Sequence, residues 1–342
     1  MKGYIVYADG HCQIEELPIP EMGEYDALVK VESCGVCNGT DMKIIHGKFK
    51  GVEQYPVVLG HEGVARVVAR GTKVRHYQIG DLVLMPYIGQ TPEGIGSAWG
   101  GYAEYNLVTD ARAMEEDGQI PEEYMYAQNV LPGDFDPVSS AMIITFREVL
   151  STMGIFGFQP NQSLVILGLG PVGLSFVQFA KFLGMGPIIA VDIQDEKLEK
   201  AQKYGADAIV NSRVRDVREV VRSHCPGGID YALDAVGVPG FINTALEILR
   251  PGGKVCVYGI SEQQHTEIDW SRCPYNWTLQ FNQFPSKKRE SEAHSRIVEW
   301  IRLGILNPND YISHVFDFEE IGKAFEKIEN REPMMKMVIR FK

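Results

Sequence analysis

Residues 164–192 carry the pattern that most restricts how this chain can fold: an apolar run, a glycine-spaced turn, an amphipathic stretch, a second apolar run and an acid, in that order. The first run ends Leu164-Val165-Ile166-Leu167 and the turn reads Gly168-Leu169-Gly170-Pro171-Val172-Gly173. The amphipathic stretch covers Leu174 to Leu183, and the run Pro187 to Val191 ends at Asp192, nineteen residues past the last glycine. Gly168 permits the tight turn out of a strand, Gly170 lets the backbone approach a pyrophosphate, and Gly173 lets the next helix pack close to that strand. Pro171 and Val172 complete the cofactor-binding turn, where the helix N-terminus turns unpaired N–H groups toward the phosphates. Asp192 is placed to accept hydrogen bonds from adenosine ribose hydroxyls and to repel a 2′-phosphate, and Ile193-Gln194-Asp195 supplies no arginine to receive one. NAD is therefore expected rather than NADP. The alternative is a glycine-rich turn that binds nothing; the ordered strand, helix, strand and acid argue against it.

The same segment is apolar and long enough to imitate a membrane span, but Gln178, Lys181 and its internal glycines and proline break it as a buried parallel βαβ unit would. Met1-Lys2-Gly3-Tyr4-Ile5-Val6 leads straight into strand-like sequence without a secretory pattern, so a cytoplasmic protein is expected. At 342 residues and 45% hydrophobic content, two domains with sizeable cores are expected. A formal charge of −12 and no dense Lys/Arg stretch argue against nucleic acid or an anionic membrane as partner. Six cysteines scattered at 12, 34, 37, 225, 256 and 273 form no disulfide framework and fit a reducing compartment.

The first 140 residues hold short β-like runs, Ala27 to Val31, Gly63 to Arg70, Asp81 to Met85 and Tyr102 to Val108, which suggest an antiparallel, barrel-like domain. A helix-like segment, Ser140 to Met153, then leads into strands expected at 163–168, 187–192, 207–210, 229–234 and 253–260. Helical stretches separate them, among them Asp195 to Tyr204 and Pro239 to Leu249. That alternation calls for an α/β fold, a doubly wound parallel sheet with its ligand where the strand order reverses. Two further helical stretches, Glu290 to Leu303 and Phe318 to Glu329, and a last strand, Met334 to Phe341, follow; the pattern does not say which domain they join.

Upstream of the glycines, Ser33-Cys34-Gly35-Val36-Cys37-Asn38-Gly39-Thr40-Asp41, Leu59-Gly60-His61-Glu62-Gly63 and a polar helix face around Glu148 carry metal-like chemistry. Cys37 and His61 are a thiolate and an imidazole, ligands that zinc prefers, and Glu62 adds a carboxylate. Each also has a plain reading: two buried cysteines, a turn, a polar helix residue. A single Cys-x-x-Cys is too little for a structural zinc, which wants four ligands.

Taken together, Cys34-Gly35-Val36-Cys37 ending in Thr40-Asp41, Gly60-His61-Glu62-Gly63, the Gly80-Asp81-Leu82-Val83 turn and the glycine fingerprint resemble the zinc-dependent medium-chain dehydrogenase/reductase family, which includes alcohol, polyol and threonine dehydrogenases. The resemblance spans nearly the whole chain. It implies a Rossmann NAD-binding domain, residues 142–285, inserted in a β-rich GroES-like catalytic domain made of 1–141 and 286–342. It implies Cys37 and His61 as catalytic zinc ligands, with Glu62 a direct or water-mediated third. Thr40 would handle the substrate proton, Asp41 would support the site from behind, and Lys43 or His46 would serve a proton relay or bind a hydroxyl. A homodimer or homotetramer is implied as well.

This chain departs from the family pattern in three places. Three residues, not two, separate Cys37 from Asp41. A further ligand belongs about 24 residues before Gly168, where Ile144 and Thr145 stand; Glu148, one helical turn from Ile144, is the candidate substitute. No cysteine lies between Asp81 and Asp110, so one catalytic zinc and no structural zinc is expected. The expected reaction is hydride transfer from a secondary alcohol, polyol or sugar hydroxyl to NAD, with Trp99, Trp270, Tyr275, Trp277, Asn282 and Gln283 as candidate substrate contacts. The rivals are a zinc-free reductase of an activated double bond and a non-catalytic NAD-binding protein.

Overall fold

A computed structural model describes every residue except 90, 92, 93, 262, 264 and 333. The chain divides into two compact units, residues 1–147 with 286–342, and residues 148–285. The division falls inside one long helix, Pro137–Phe156.

The second unit holds a six-stranded parallel sheet in the order Ala208–Asn211, Ile188–Asp192, Leu164–Leu167, Ile229–Asp234, Leu249–Val257, Thr278–Phe281. Leu164 lies opposite both Ile188 and Tyr231, so the glycine turn leaves the sheet where successive strands begin to run the other way across it. Every residue of Ile188–Asp192 is buried, which is why it reads as a continuous apolar run: helices cover both faces of such a sheet. The sixth strand was not expected from sequence. Thr278-Leu279-Gln280-Phe281 is four residues long, lies at the sheet edge, and is exposed at both ends, so it carries neither a buried run nor a clean alternation. Between Pro239 and Leu249 only Phe241–Leu246 is helical, because the fifth strand already begins at Leu249.

In the first unit, the strand Asp26–Val36 organises the larger sheet. Its alternating burial marks a strand with one face toward the core, and its last four residues are buried throughout. It pairs antiparallel with Glu62–Arg70, with Tyr105–Thr109 and with the C-terminal strand Lys336–Arg340. Met337 lies opposite Val36 and Ile339 opposite Cys34, which answers where the C-terminal segment belongs. A smaller sheet joins Cys12–Glu16, Lys2–Val6, Val57–Val58 and Gly96–Ser97. Tyr4, Val29, Leu59, Tyr102, Phe325 and Ile339 belong to the core between these elements.

Among the described residues one helix, Pro137–Phe156, is long and apolar enough to cross a membrane; 72% of that stretch is buried inside the protein. Met142, Ile143, Phe146, Val149 and Phe156 account for its hydropathy as core residues.

Candidate metal centre

The strand Asp26–Val36 ends one residue before Cys37, which caps the helix Asn38–Ile45. Asp41 sits one turn into that helix. Its backbone N–H donates to the Cys37 carbonyl at 2.8 Å, and its Oδ2 accepts the Cys37 N–H at 3.0 Å. The three-residue spacing between Cys37 and Asp41 sets the carboxylate one helical turn on, where it folds back on the residue that opens the helix. Asp41 is fully buried, and its other oxygen lies 3.4 Å from His61 Nδ1.

His61 follows Gly60, whose φ of +103° suits glycine; a Cβ there would lie 2.7 Å from the Tyr102 nitrogen. Glu62 opens the next strand directly opposite Gly35, and a Cβ on Gly35 would lie 2.1 Å from Glu62 Oε2. The carboxylate therefore occupies the space that any other residue at 35 would need. Strand register thus brings a thiolate, an imidazole and a carboxylate together: ligand atoms of Cys37, His61 and Glu62 all lie within 4.8 Å of one another. Among the described residues, no other group of three His, Cys, Asp or Glu side chains is close enough to hold an ion.

Two buried polar atoms here, Asp41 Oδ1 and His61 Nδ1, have no hydrogen-bond partner. Burial pulls the His61 pKa down, yet Asp41 and Cys37 facing the ring outweigh it and raise the value well above the ordinary histidine range. The site thus favours positive charge between sulfur and imidazole. With Cys37 as thiolate, three anionic groups face one fixed cation, Lys336, so a divalent ion brings the buried group to neutrality. Thiolate, imidazole and carboxylate donors fit zinc, and Asp41 stands where a carboxylate fixes the tautomer of a ligating histidine.

Lys336 is a site residue that sequence reasoning missed. Its Nζ donates to both Glu62 oxygens, at 2.6 and 2.5 Å, and both side chains are about 5% exposed. Burial opposes its charge, but Glu62, Cys37 and Asp41 together raise its pKa. The available signal was a lysine opening an otherwise apolar strand, Lys336-Met337-Val338-Ile339. Thr145, at the place where a further ligand was sought, donates its hydroxyl to Glu62 Oε1 at 3.2 Å. Glu148, the candidate substitute, has its Oε1 accepting the Tyr258 hydroxyl at 2.7 Å.

Thr40 is buried in the first turn of the Cys37 helix. Lys43 turns its ammonium back to the Gly39 carbonyl at 2.9 Å, and His46 is exposed just past the helix. Trp99 holds a left-handed φ of +70°, uncommon for a bulky side chain. Its ring centroid lies 5.2 Å from that of His61 and 6.1 Å from that of Phe49. Of the other candidate contacts, Trp270 and Tyr275 are exposed and Trp277 packs on the second unit's core. Asn282 and Gln283 bond Thr152 and the Gly259 carbonyl.

The glycine turn is built as its spacing requires. Gly168 has φ +89°, and a Cβ there would lie 2.0 Å from Val236 Cγ2. A Cβ on Gly173 would lie 1.8 Å from the Gly168 carbonyl oxygen, whereas nothing lies within 4 Å of one on Gly170. The helix Pro171–Phe182 starts with Pro171 in its first turn, where a missing N–H costs nothing. Asp192 accepts backbone N–H bonds from Leu169 at 2.7 Å, Ile193 at 2.7 Å and Gln194 at 3.0 Å. Its carboxylate therefore braces the glycine turn, and its remaining acceptor capacity is what a ribose hydroxyl could use.

The chain matches the family profile "Alcohol dehydrogenase GroES-like domain" over residues 23–119 and "Zinc-binding dehydrogenase" over residues 171–290. It is 27% identical to a sorbitol dehydrogenase of Bacillus subtilis, over 96% of this chain and 93% of that protein. It is 28% identical to a D-xylulose reductase A of Aspergillus niger, over 92% and 90%. Its fold matches the crystal structure of galactitol-1-phosphate dehydrogenase from Escherichia coli with a TM-score of 0.80 at 25% identity, covering 99% of this chain and 100% of that one.

Proposed function

The chain belongs to the zinc-dependent medium-chain dehydrogenase family, and from that premise we propose that it oxidises a secondary alcohol, polyol or sugar hydroxyl with NAD at one zinc ion. In that reaction the alcohol loses a proton and a hydride, giving a carbonyl compound, NADH and a proton. The observation that carries this reading is the convergence of Cys37, His61 and Glu62 within 4.8 Å, with buried Asp41 aimed at the imidazole.

Cys37 and His61 would hold the ion, with Glu62 as third ligand directly or through water and Glu148 the candidate for a further ligand; its Oε1 also accepts the Tyr258 hydroxyl. A zinc ion there supplies Lewis acidity that lowers the pKa of a substrate hydroxyl. Thr40, buried beside Cys37, would accept the hydroxyl proton while handing its own on, and Lys43, as an ammonium, would bind a further substrate hydroxyl. Asp41 keeps His61 oriented. Gly168, Gly170, Pro171, Val172 and Gly173 would cradle the pyrophosphate, and Asp192 favours NAD because a 2′-phosphate would meet its carboxylate.

Names of relatives that act on sorbitol and xylulose support the polyol side of the family, and Trp99 offers an apolar face beside His61. The reading includes a cytoplasmic homodimer or homotetramer without nucleic-acid or membrane partners. The edge strand Thr278–Phe281, with Phe281 exposed, supports self-association.

The test measures NAD and NADP reduction against polyols, sugars and secondary alcohols, with zinc content determined on the same sample. Turnover with NAD, about one zinc per chain, and loss of both in Cys37→Ser are expected. Oxidation of NADH by an enone in zinc-free protein that turns over no alcohol favours the double-bond reductase; NADH binding with no turnover of either kind favours a non-catalytic protein.

A further inference from the structure

Tyr102 lies on neither the helix that carries Cys37 nor the loop that carries His61, yet it bonds to both. Its side chain is completely buried, and its hydroxyl lies 2.8 Å from Asp41 Oδ2 and 3.0 Å from the Gly35 carbonyl oxygen. A phenol has one proton to give, and the carboxylate is the stronger acceptor because it is charged. Its backbone N–H donates to the Leu59 carbonyl at 2.8 Å, and Gly101 donates to the Gly60 carbonyl at 2.7 Å, so the segment runs pinned against the residues just before His61. Tyr4 and Phe325 hold the ring edge-on, with centroids 6.5 and 6.2 Å away.

These contacts decide which oxygen Asp41 shows to His61. Oδ2 already accepts from Tyr102 and from the Cys37 N–H, so Oδ1 is left to face Nδ1 at 3.4 Å. Without the phenol, the carboxylate loses one of the two donors that fix its rotation.

We propose that Tyr102 is a positioning residue of the metal centre, clamping the Cys37–Asp41 helix to the His61 loop so that thiolate and imidazole stand ready to share one ion. The inference rests on the zinc reading above. Partners behind a ligating histidine fix its orientation, and their loss weakens metal binding by roughly 10- to 100-fold. Tyr102 acts one step further back, so a loss near the lower end is expected.

The test titrates zinc against a chromophoric chelator for the wild type, Tyr102→Phe and Tyr77→Phe, and records the visible spectrum of the cobalt-loaded proteins. Tyr77 is the matched control: a buried phenol of the same unit whose hydroxyl donates to the Gln128 carbonyl at 2.7 Å, away from the ligands. Tyr102→Phe should bind zinc about tenfold more weakly and shift the cobalt d–d bands, while Tyr77→Phe keeps the wild-type affinity and spectrum even if it melts earlier. In an Asp41→Asn background, Tyr102→Phe should cost nothing further. Equal affinity in Tyr102→Phe and wild type, an equal loss in Tyr77→Phe, or additive losses with Asp41→Asn would each overturn the proposal. If Tyr102→Phe does not fold, Phe325→Leu unseats the ring but keeps the hydroxyl; weaker zinc binding there supports the clamp, and unchanged binding counts against it. A wild type with no zinc that Cys37→Ser removes overturns the zinc reading itself, a result distinct from all of these.

Discussion

Glu62 owes its place inside the first unit to one partner. Lys336 bonds both of its oxygens, and Thr145 adds a single weaker bond, so removing the lysine leaves a buried carboxylate largely uncompensated. Breaking a buried pair from one side costs far more than the pair contributes, because the remaining charge stays desolvated. In metal-stripped protein, Lys336→Met is expected to lower unfolding free energy by roughly 3–5 kcal/mol, read from urea denaturation. The double variant Lys336→Met/Glu62→Gln should recover most of that loss, because no charge is then stranded. A double variant as unstable as the single one would show that Lys336 matters for packing rather than for charge.

At the scale of elements, the glycine turn separates two kinds of requirement. Gly173→Ala forces a Cβ into the Gly168 carbonyl, so the helix Pro171–Phe182 must move off its strand; about 1–3 kcal/mol of stability and NADH affinity should fall together. Gly170→Ala meets open space at an ordinary backbone angle, so stability should change by less than about 1 kcal/mol while NADH binding weakens. Thermal melting and NADH fluorescence titration on both variants check the contrast, and equal effects on stability would refute it.

The helix Lys287–Arg302 carries a pH dependence of its own. His294 Nε2–H donates to the Val130 carbonyl at 3.0 Å, its Nδ1 is buried without a partner, and burial, with Arg147 adding, pulls its pKa down to about 4. Unfolding lets this histidine take up a proton near its ordinary pKa of about 6.5. Between about 6.5 and 4 the unfolded state therefore binds more protons, and stability is lost as pH falls through that window. The loss is about 2–3 kcal/mol once partial solvent screening is allowed for. His294→Gln should flatten the wild-type slope between pH 6.5 and 4.5 in denaturation curves.

For the whole molecule, the two units divide the chemistry. Every residue of the glycine fingerprint and Asp192 lies in residues 148–285, whereas Cys37, His61, Glu62, Asp41 and Lys336 lie in the other unit. Each unit has its own buried apolar cluster. Dialysis against a strong chelator should therefore abolish alcohol oxidation while changing NADH affinity by less than about twofold, since dispersed cores, and not the ion, hold both folds. Loss of NADH binding along with zinc, in calorimetry on the stripped protein, would argue that the metal holds the fold.

The sequence by itself determined the elements whose signal is local. The strand, turn and helix from Leu164 to Asp192 are legible because glycine spacing and buried parallel strands leave a mark that does not depend on distant contacts. Cys37 and His61 stood out as a thiolate and an imidazole, each with a plain reading of its own, and the resemblance carried by the order of the motifs joined them as candidate ligands. Tertiary structure alone decided what surrounds them. Lys336 reaches Glu62 across 274 residues, and Tyr102 reaches Asp41 across 61. Gly35 matters because antiparallel register sets it under the Glu62 carboxylate. Such partners are chosen by strand pairing between remote segments, and a buried charge accepts whichever neighbour that pairing delivers.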